Sequence, residues 1–136
     1  MNQAAQNFIS YLNEKGVRHT VDEITDNTVV AVGYTLENTS AKASIFFSDD
    51  NKHIAMRCFD VVKAPKDKFA NLIICCNKAN LEYRWAKFVI NDDMEVSAQL
   101  DAIINEDDSA EVYELMIRIL DIVDKTYPDF MKAIWA

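Results

Sequence analysis

This chain of 136 residues predicts an α+β fold, an antiparallel sheet with flanking helices. Three observations carry that expectation. Its β-like runs follow one another through links of only a few residues. Such links join antiparallel neighbours, because parallel strands need long crossovers. Apolar stripes at helical spacing stand at both ends and once between the runs, so the order reads α-β-β-β(β)-α-β-β-α. Half of the residues are hydrophobic and 26% are charged, enough apolar surface for a core and too much for a disordered chain. A single domain over residues 1–136 is expected.

The first helix is expected from Gln3 to Lys15, with Ala5, Phe8, Ile9 and Leu12 on one face. Gly16 supplies the left-handed stop just past its end. Four β-like runs follow: Val17–Ile24, the weakest pattern, then Thr28–Leu36, Ala43–Ser48 and Ile54–Phe59. Turn-rich links separate them at Thr25–Asn27, Glu37–Ser40 and Asp49–Lys52. Gly33, inside a strand pattern, suggests a bulge or a close backbone approach.

The middle helix is expected to begin near Pro65, whose missing N–H suits the first helical position. Its face would be Phe69, Leu72, Ile73 and Cys76, winding down over Asn77–Asn80. Arg84–Ile90 and Met94–Asp101 pair as a hairpin around Asn91-Asp92-Asp93. Met94, Val96, Ala98 and Leu100 form its buried side. The last long helix starts at Asp108 or Ser109, where Asp108 and Glu111 approximate a capping box. Val112, Leu115, Met116, Ile119 and Val123 form its stripe, widened by Leu120 and Ile122. Pro128 is expected to break this helix. The tail Asp129–Ala136 then resumes helical spacing with Phe130, Met131, Ile134 and Trp135.

A sheet covered on one side reads apolar-in and polar-out. These strands depart from that rule: Val29, Phe46 and Phe59 lie opposite the set chosen for the core. They mark a second face that meets a covering element or a partner. Aromatic residues are enriched in interface hot spots, so Trp85, Phe130 and Trp135 join Val29, Phe46 and Phe59 as interface candidates. The competing reading for the aromatics is completion of the core.

Composition narrows the chemistry. There are 22 Asp and Glu against 14 Lys and Arg, a formal charge of −8. Nucleic-acid affinity comes largely from basic residues neutralising phosphates, and no Lys/Arg cluster interrupts the acidity, so nucleic acid is not expected as a partner. Nor is a membrane: no apolar stretch approaches the ~20 residues that span a bilayer. The segment Met1–Ser10 lacks the basic and apolar regions of a secretory signal. A cytoplasmic protein is expected.

Cys58, Cys75 and Cys76 include no CxxC pair and are expected to be reduced. His19 and His53 have no second ligand at metal spacing. The acids at Asp49-Asp50, Asp92-Asp93 and Glu106-Asp107-Asp108 lack the EF-hand spacing with its central glycine. With only Gly16 and Gly33 there is no phosphate cradle. No serine sits in a G-x-S-x-G context. No catalytic residue, metal or cofactor is therefore expected, and the chain is read as a non-enzyme.

The landmarks Thr28-Val29-Val30, Ala43-Ser44-Ile45-Phe46-Phe47 and Ala64-Pro65, followed by the Trp85–Ile90 and Met94–Leu100 hairpin and a long helix, resemble the YbjN family of small acidic bacterial proteins. They also resemble, more broadly, the type III secretion chaperone-like fold. The resemblance spans Thr28–Trp135. It implies a sheet with flanking helices, often a dimer holding a non-globular client, and a role in sensory transduction or stress regulation. It carries over no catalytic residue. The expectation is a homodimeric protein-binding domain engaging a polypeptide through apolar surface. The alternative is a small-ligand sensor with a cavity between sheet and helices, lined by Met56, Cys76 and Met116.

Overall fold

A computed structural model describes residues 1–135. Ala136, the last residue of the expected tail, lies outside the described residues. Helix α1 (Gln3–Lys15) is followed by strands β1 (Thr20–Ile24), β2 (Asn27–Thr35), β3 (Ser40–Ser48) and β4 (His53–Lys63). A 3₁₀ turn, Lys66–Lys68, leads into α2 (Phe69–Glu82). Strands β5 (Lys87–Ile90) and β6 (Glu95–Ile103) precede the long α3 (Ser109–Trp135). The six strands form one sheet in the order β1-β2-β3-β4-β6-β5, and every neighbouring pair is antiparallel.

Strand alternation divides the sheet into two faces. Val21, Val30, Ile45, Met56 and Leu100 stand in one cross-strand row, and Thr28, Phe47, Ile54 and Ala102 in the next. Val30, Ile45, Met56 and Leu100 of the first row and Phe47 and Ile54 of the second belong to the buried core together with Phe8 and Leu12 of α1, Leu72 and Cys76 of α2, and Met116, Ile119, Leu120 and Val123 of α3, while Val21 on the edge strand stays exposed. Helix α3 packs against β3, β4 and β6, and α1 and α2 flank it. The α3 stripe and the inward residues of β6 fall as their spacing predicts.

Local chemistry explains the ends of the elements. The Asn2 side chain caps α1 by accepting the Ala5 N–H at 2.8 Å. Gly16 closes it in the left-handed region (φ 71°), and the Val17 N–H returns to the Leu12 carbonyl. Other expectations change. Pro65 is extended and precedes a 3₁₀ turn instead of opening α2. The Asp108 carboxylate turns back to the Asn105 N–H at 2.8 Å. Gly33 pairs regularly with Lys42, and a Cβ built on it meets nothing within 4 Å, so neither a bulge nor a close approach requires glycine there. The irregularity falls instead in β4. Between Cys58 and Val62 the register slips by two residues, with Asp60 at a positive φ of 54°.

Pro128 does not break α3. A proline inside a helix removes the N–H that would serve the carbonyl four residues back, here that of Asp124, and its ring crowds the same carbonyl. In this fold the β2–β3 turn supplies the missing donor. The Asn38 side-chain amide donates to the Asp124 carbonyl at 3.2 Å, and the Asn38 backbone N–H donates to the buried Asp124 carboxylate at 2.7 Å. The Thr126 hydroxyl donates back to the Ile122 carbonyl at 2.8 Å, a bond that lets helices bend. The helix continues, and Phe130 reaches the core.

Two substitutions test this architecture. Ile119 is fully buried. Ile119→Asp is expected to cost about 4 kcal/mol or more by burying an unpaired charge, lowering the thermal midpoint by at least about 12 °C. An unchanged melting curve would mean that the α3 face is misassigned. Asn38→Ala is expected to cost about 1–2 kcal/mol by leaving the Asp124 carbonyl without a donor. Pro128→Ala, which restores the helical N–H, should recover most of that loss in a double-mutant cycle measured by urea unfolding.

Candidate functional site

Among the described residues, all three helices lie on the inner side of the sheet, so its outer face has no covering layer. Two cross-strand rows build that face: Asp22, Val29, Phe46, Ala55 and Asp101, and beside them Thr20, Ala31, Ser44, Arg57, Gln99 and Lys87. Arg57 lies across its centre. Its Nη1 donates to the Asp101 carboxylate at 2.8 Å and to the Met56 carbonyl at 2.9 Å. The same Nη1 also donates to the Leu100 carbonyl at 3.3 Å, so the charge is held by one carboxylate and two backbone carbonyls. Around it, the Phe46 and Phe59 rings meet edge-on with centroids 6.3 Å apart.

The predicted interface residues separate into three groups. Val29 and Phe46 are half-buried on the open face, and Phe59 is 54% exposed beside them. Trp85 lies at the β5 end, with the Arg118 guanidinium stacked 5.2 Å from its ring. These four share the outer side of the sheet or its margin. Phe130 is different: it is fully buried, its ring 5.1 Å from that of Phe88, and it completes the core. Trp135 is 79% exposed at the far end of α3, apart from the others.

Sequence reasoning missed further apolar surface. Ile103, on the outer face opposite His53, is 84% exposed. Continuing the Glu95-Ser97-Gln99-Asp101 alternation by one step would have found it. Phe69 and Ile73, expected in the core, are exposed together with Ile74 and Leu81, because α2 buries Leu72, Cys76 and Ala79 instead. The run Leu72–Cys76 is apolar on every side of a helix, so periodicity could not choose its inward face.

A cleft of about 400 Å³ lies between α2 and the C-terminal half of α3. Ile74, Cys75 and Ala79 line one wall, and Asp129, Lys132 and Ala133 the other. The Asn71 side chain bridges the helices, donating to the Ala133 carbonyl at 3.2 Å. Met56, Cys76 and Met116 do not line this cleft: they are packed in the core, and the space lies between helices instead of between helix and sheet.

The cysteines are free. Burial pushes the Cys58 thiol up to about 12. Burial, with the neighbouring Cys75, pushes Cys76 up to about 11. Burial, followed by the charge of Asp129, raises Cys75. Thiols shifted this way are protonated and poorly nucleophilic at neutral pH. His53 at the start of β4 pairs with Asp50 at 2.6 Å, an exposed turn contact. Among the described residues, no three of His, Cys, Asp and Glu converge on a point that could hold a metal ion. No helix of the described residues is long and apolar enough to cross a membrane.

This geometry offers exposed apolar surface with the Arg57–Asp101 ion pair lying across it. Residues 6–130 match the model of the YbjN family, described as "Putative bacterial sensory transduction regulator". No curated protein matches the sequence. Among solved structures, the fold is similar to a crystal structure of YbjN, "a putative transcription regulator from E. coli", with a TM-score of 0.53 and 12% identity over 89% of each chain. An identity that low speaks for the fold alone, a six-stranded antiparallel sheet with its helices. The family match, covering most of the chain and consistent with that fold, is decisive: this protein belongs to the YbjN family.

Proposed function

We propose that the chain is a non-enzymatic regulatory domain that acts as a cytoplasmic homodimer and engages a polypeptide through apolar surface on an acidic body. One observation carries this reading: the sheet's outer face, with Phe46, Phe59, Val89 and Ile103, has no layer over it. Exposed apolar patches of this kind mark interaction sites. The exposed residues of α2, Phe69, Ile73, Ile74 and Leu81, form a second such surface. A homodimeric binding domain makes two contacts, with its copy and with its client, and the molecule has a surface for each. A formal charge of −8 favours a polypeptide over nucleic acid as the regulatory partner.

The α2–α3 cleft supports a second reading, a sensor for a small molecule.

The test combines light scattering with crosslinked capture, using the parent and a Phe59→Asp/Ile103→Asp variant. Both side chains are exposed, so the variant is expected to fold. The parent should run at twice the mass of one chain and capture one recurrent polypeptide, and the variant should bind that polypeptide at least about tenfold more weakly, as loss of a central apolar contact predicts. A monomer that captures no polypeptide at micromolar concentration would defeat the reading. A discrete non-peptide adduct in native mass spectrometry, lost on Cys75→Trp, would favour the sensor.

A further inference from the structure

The two edges of the sheet are finished differently. At the β5 edge the Asn80 side chain acts as a short stretch of strand: its Oδ1 accepts the Phe88 N–H at 2.7 Å, and its Nδ2 donates to the Phe88 carbonyl at 3.1 Å. The Lys87 ammonium pins the end of α2 over this edge, donating to the Asn80 and Tyr83 carbonyls at 2.7 and 2.8 Å. That edge is four residues long and closed at its centre. The β1 edge has no such device. All five residues, Thr20–Ile24, are exposed, and the strand pairs on one side only, with β2. Among the described residues, no side chain bonds the free backbone edge of β1. An uncovered strand edge is a template for another strand.

The side chains of β1 say which strand. Val21 and Ile24 are apolar and at least one-third exposed, and Asp22 and Glu23 lie between them. Cross-strand pairs prefer opposite charges and disfavour like ones. A second copy adding antiparallel about Asp22 would set Asp22 against Asp22. Added about the next centre, it would set Glu23 against Glu23, because opposed residues share a face. Either register repels, within a chain whose net charge is already −8. The complementary pattern is apolar-basic-basic-apolar. Because Val21-Asp22-Glu23-Ile24 has the same pattern in both directions, that strand fits parallel or antiparallel.

We propose that β1 is the docking edge for an extended basic segment of a partner polypeptide, which adds to the sheet as a seventh strand. This rests on the protein-binding reading above and names the segment and the edge it uses. Main-chain bonds to β1 hold the segment. Its two basic residues face Asp22 and Glu23, and its flanking β-branched residues lie beside Val21 and Ile24. The closed β5 edge gives the added strand one place to go.

The test uses a fluorescent peptide with the core Thr-Val-Lys-Lys-Val-Thr. One control replaces both lysines with glutamate. The other replaces both valines with proline, which keeps the charge and abolishes the strand. Anisotropy reads affinity on the full chain, and amide hydrogen exchange reads the site. The lysine peptide is expected to bind at least about tenfold tighter than either control and to protect amides of residues 20–24. Asp22→Lys/Glu23→Lys should reverse the preference toward the glutamate peptide. Equal binding of the proline peptide, protection confined to the open face or the α2–α3 cleft, or self-association through β1 would each overturn the edge assignment. Of these, protection on the open face leaves the protein-binding reading standing. Failure to bind any peptide, together with failure to capture a polypeptide, would overturn both.

Discussion

Val112, Met116, Ile119, Leu120, Val123 and Phe130 of α3 are buried over β3, β4 and β6, and the other helices are placed by reference to them. Each such side chain contributes roughly 1.5–3 kcal/mol when removed from water, so this seam is the largest concentration of apolar burial in the molecule. Helix α1 fills one flank through Phe8 against Phe47, and α2 fills the other through Leu72 and Cys76. Because all three helices answer to the same inner face, the outer face is left bare. The exposed apolar residues of that face follow from this one-sided packing.

The seam is long only because α3 survives its internal proline. Without a donor for the Asp124 carbonyl the helix would be weakened at Pro128, just before Phe130 meets Phe88. The Asn38 turn supplies that donor and also neutralises part of the burial cost of the Asp124 carboxylate by donating its backbone N–H. A turn between two strands therefore supports a helix remote in sequence. The same economy recurs at Asn80, whose amide closes a sheet edge from within a helix. Asn38 donates twice, from its backbone and its side chain, whereas the Asn80 amide offers a donor and an acceptor in the geometry of a peptide group.

The acidic charge and the apolar surfaces act together. Exposed apolar residues invite association with copies of the chain as well as with partners. At β1, Asp22 and Glu23 oppose self-pairing while leaving the backbone edge available, the device by which natural sheets avoid uncontrolled edge contacts. At the centre of the open face the Arg57–Asp101 pair is held in place by its bonds to backbone, so it orders polar groups among the aromatic rings without leaving an unpaired charge.

Most of the fold was legible because periodicity reports which side of an element faces a core. The α3 stripe, the β6 alternation and the departure of Val29, Phe46 and Phe59 from the core pattern all follow from spacings of 3.6 and 2. What the sequence by itself determined is thus the element order, the antiparallel pairing implied by short links, and the existence of a second apolar sheet face. Four matters were decided only by tertiary structure. The inward face of α2 needed it because Leu72–Cys76 is apolar all round. The fate of Pro128 depended on Asn38, a donor 90 residues earlier in the chain. Phe130 was core instead of interface because α3 continued. The α2–α3 cleft and the unequal sheet edges arise from how whole elements meet. In each case a backbone or side-chain group found its partner far away in sequence, and local spacing carries no record of such a partner.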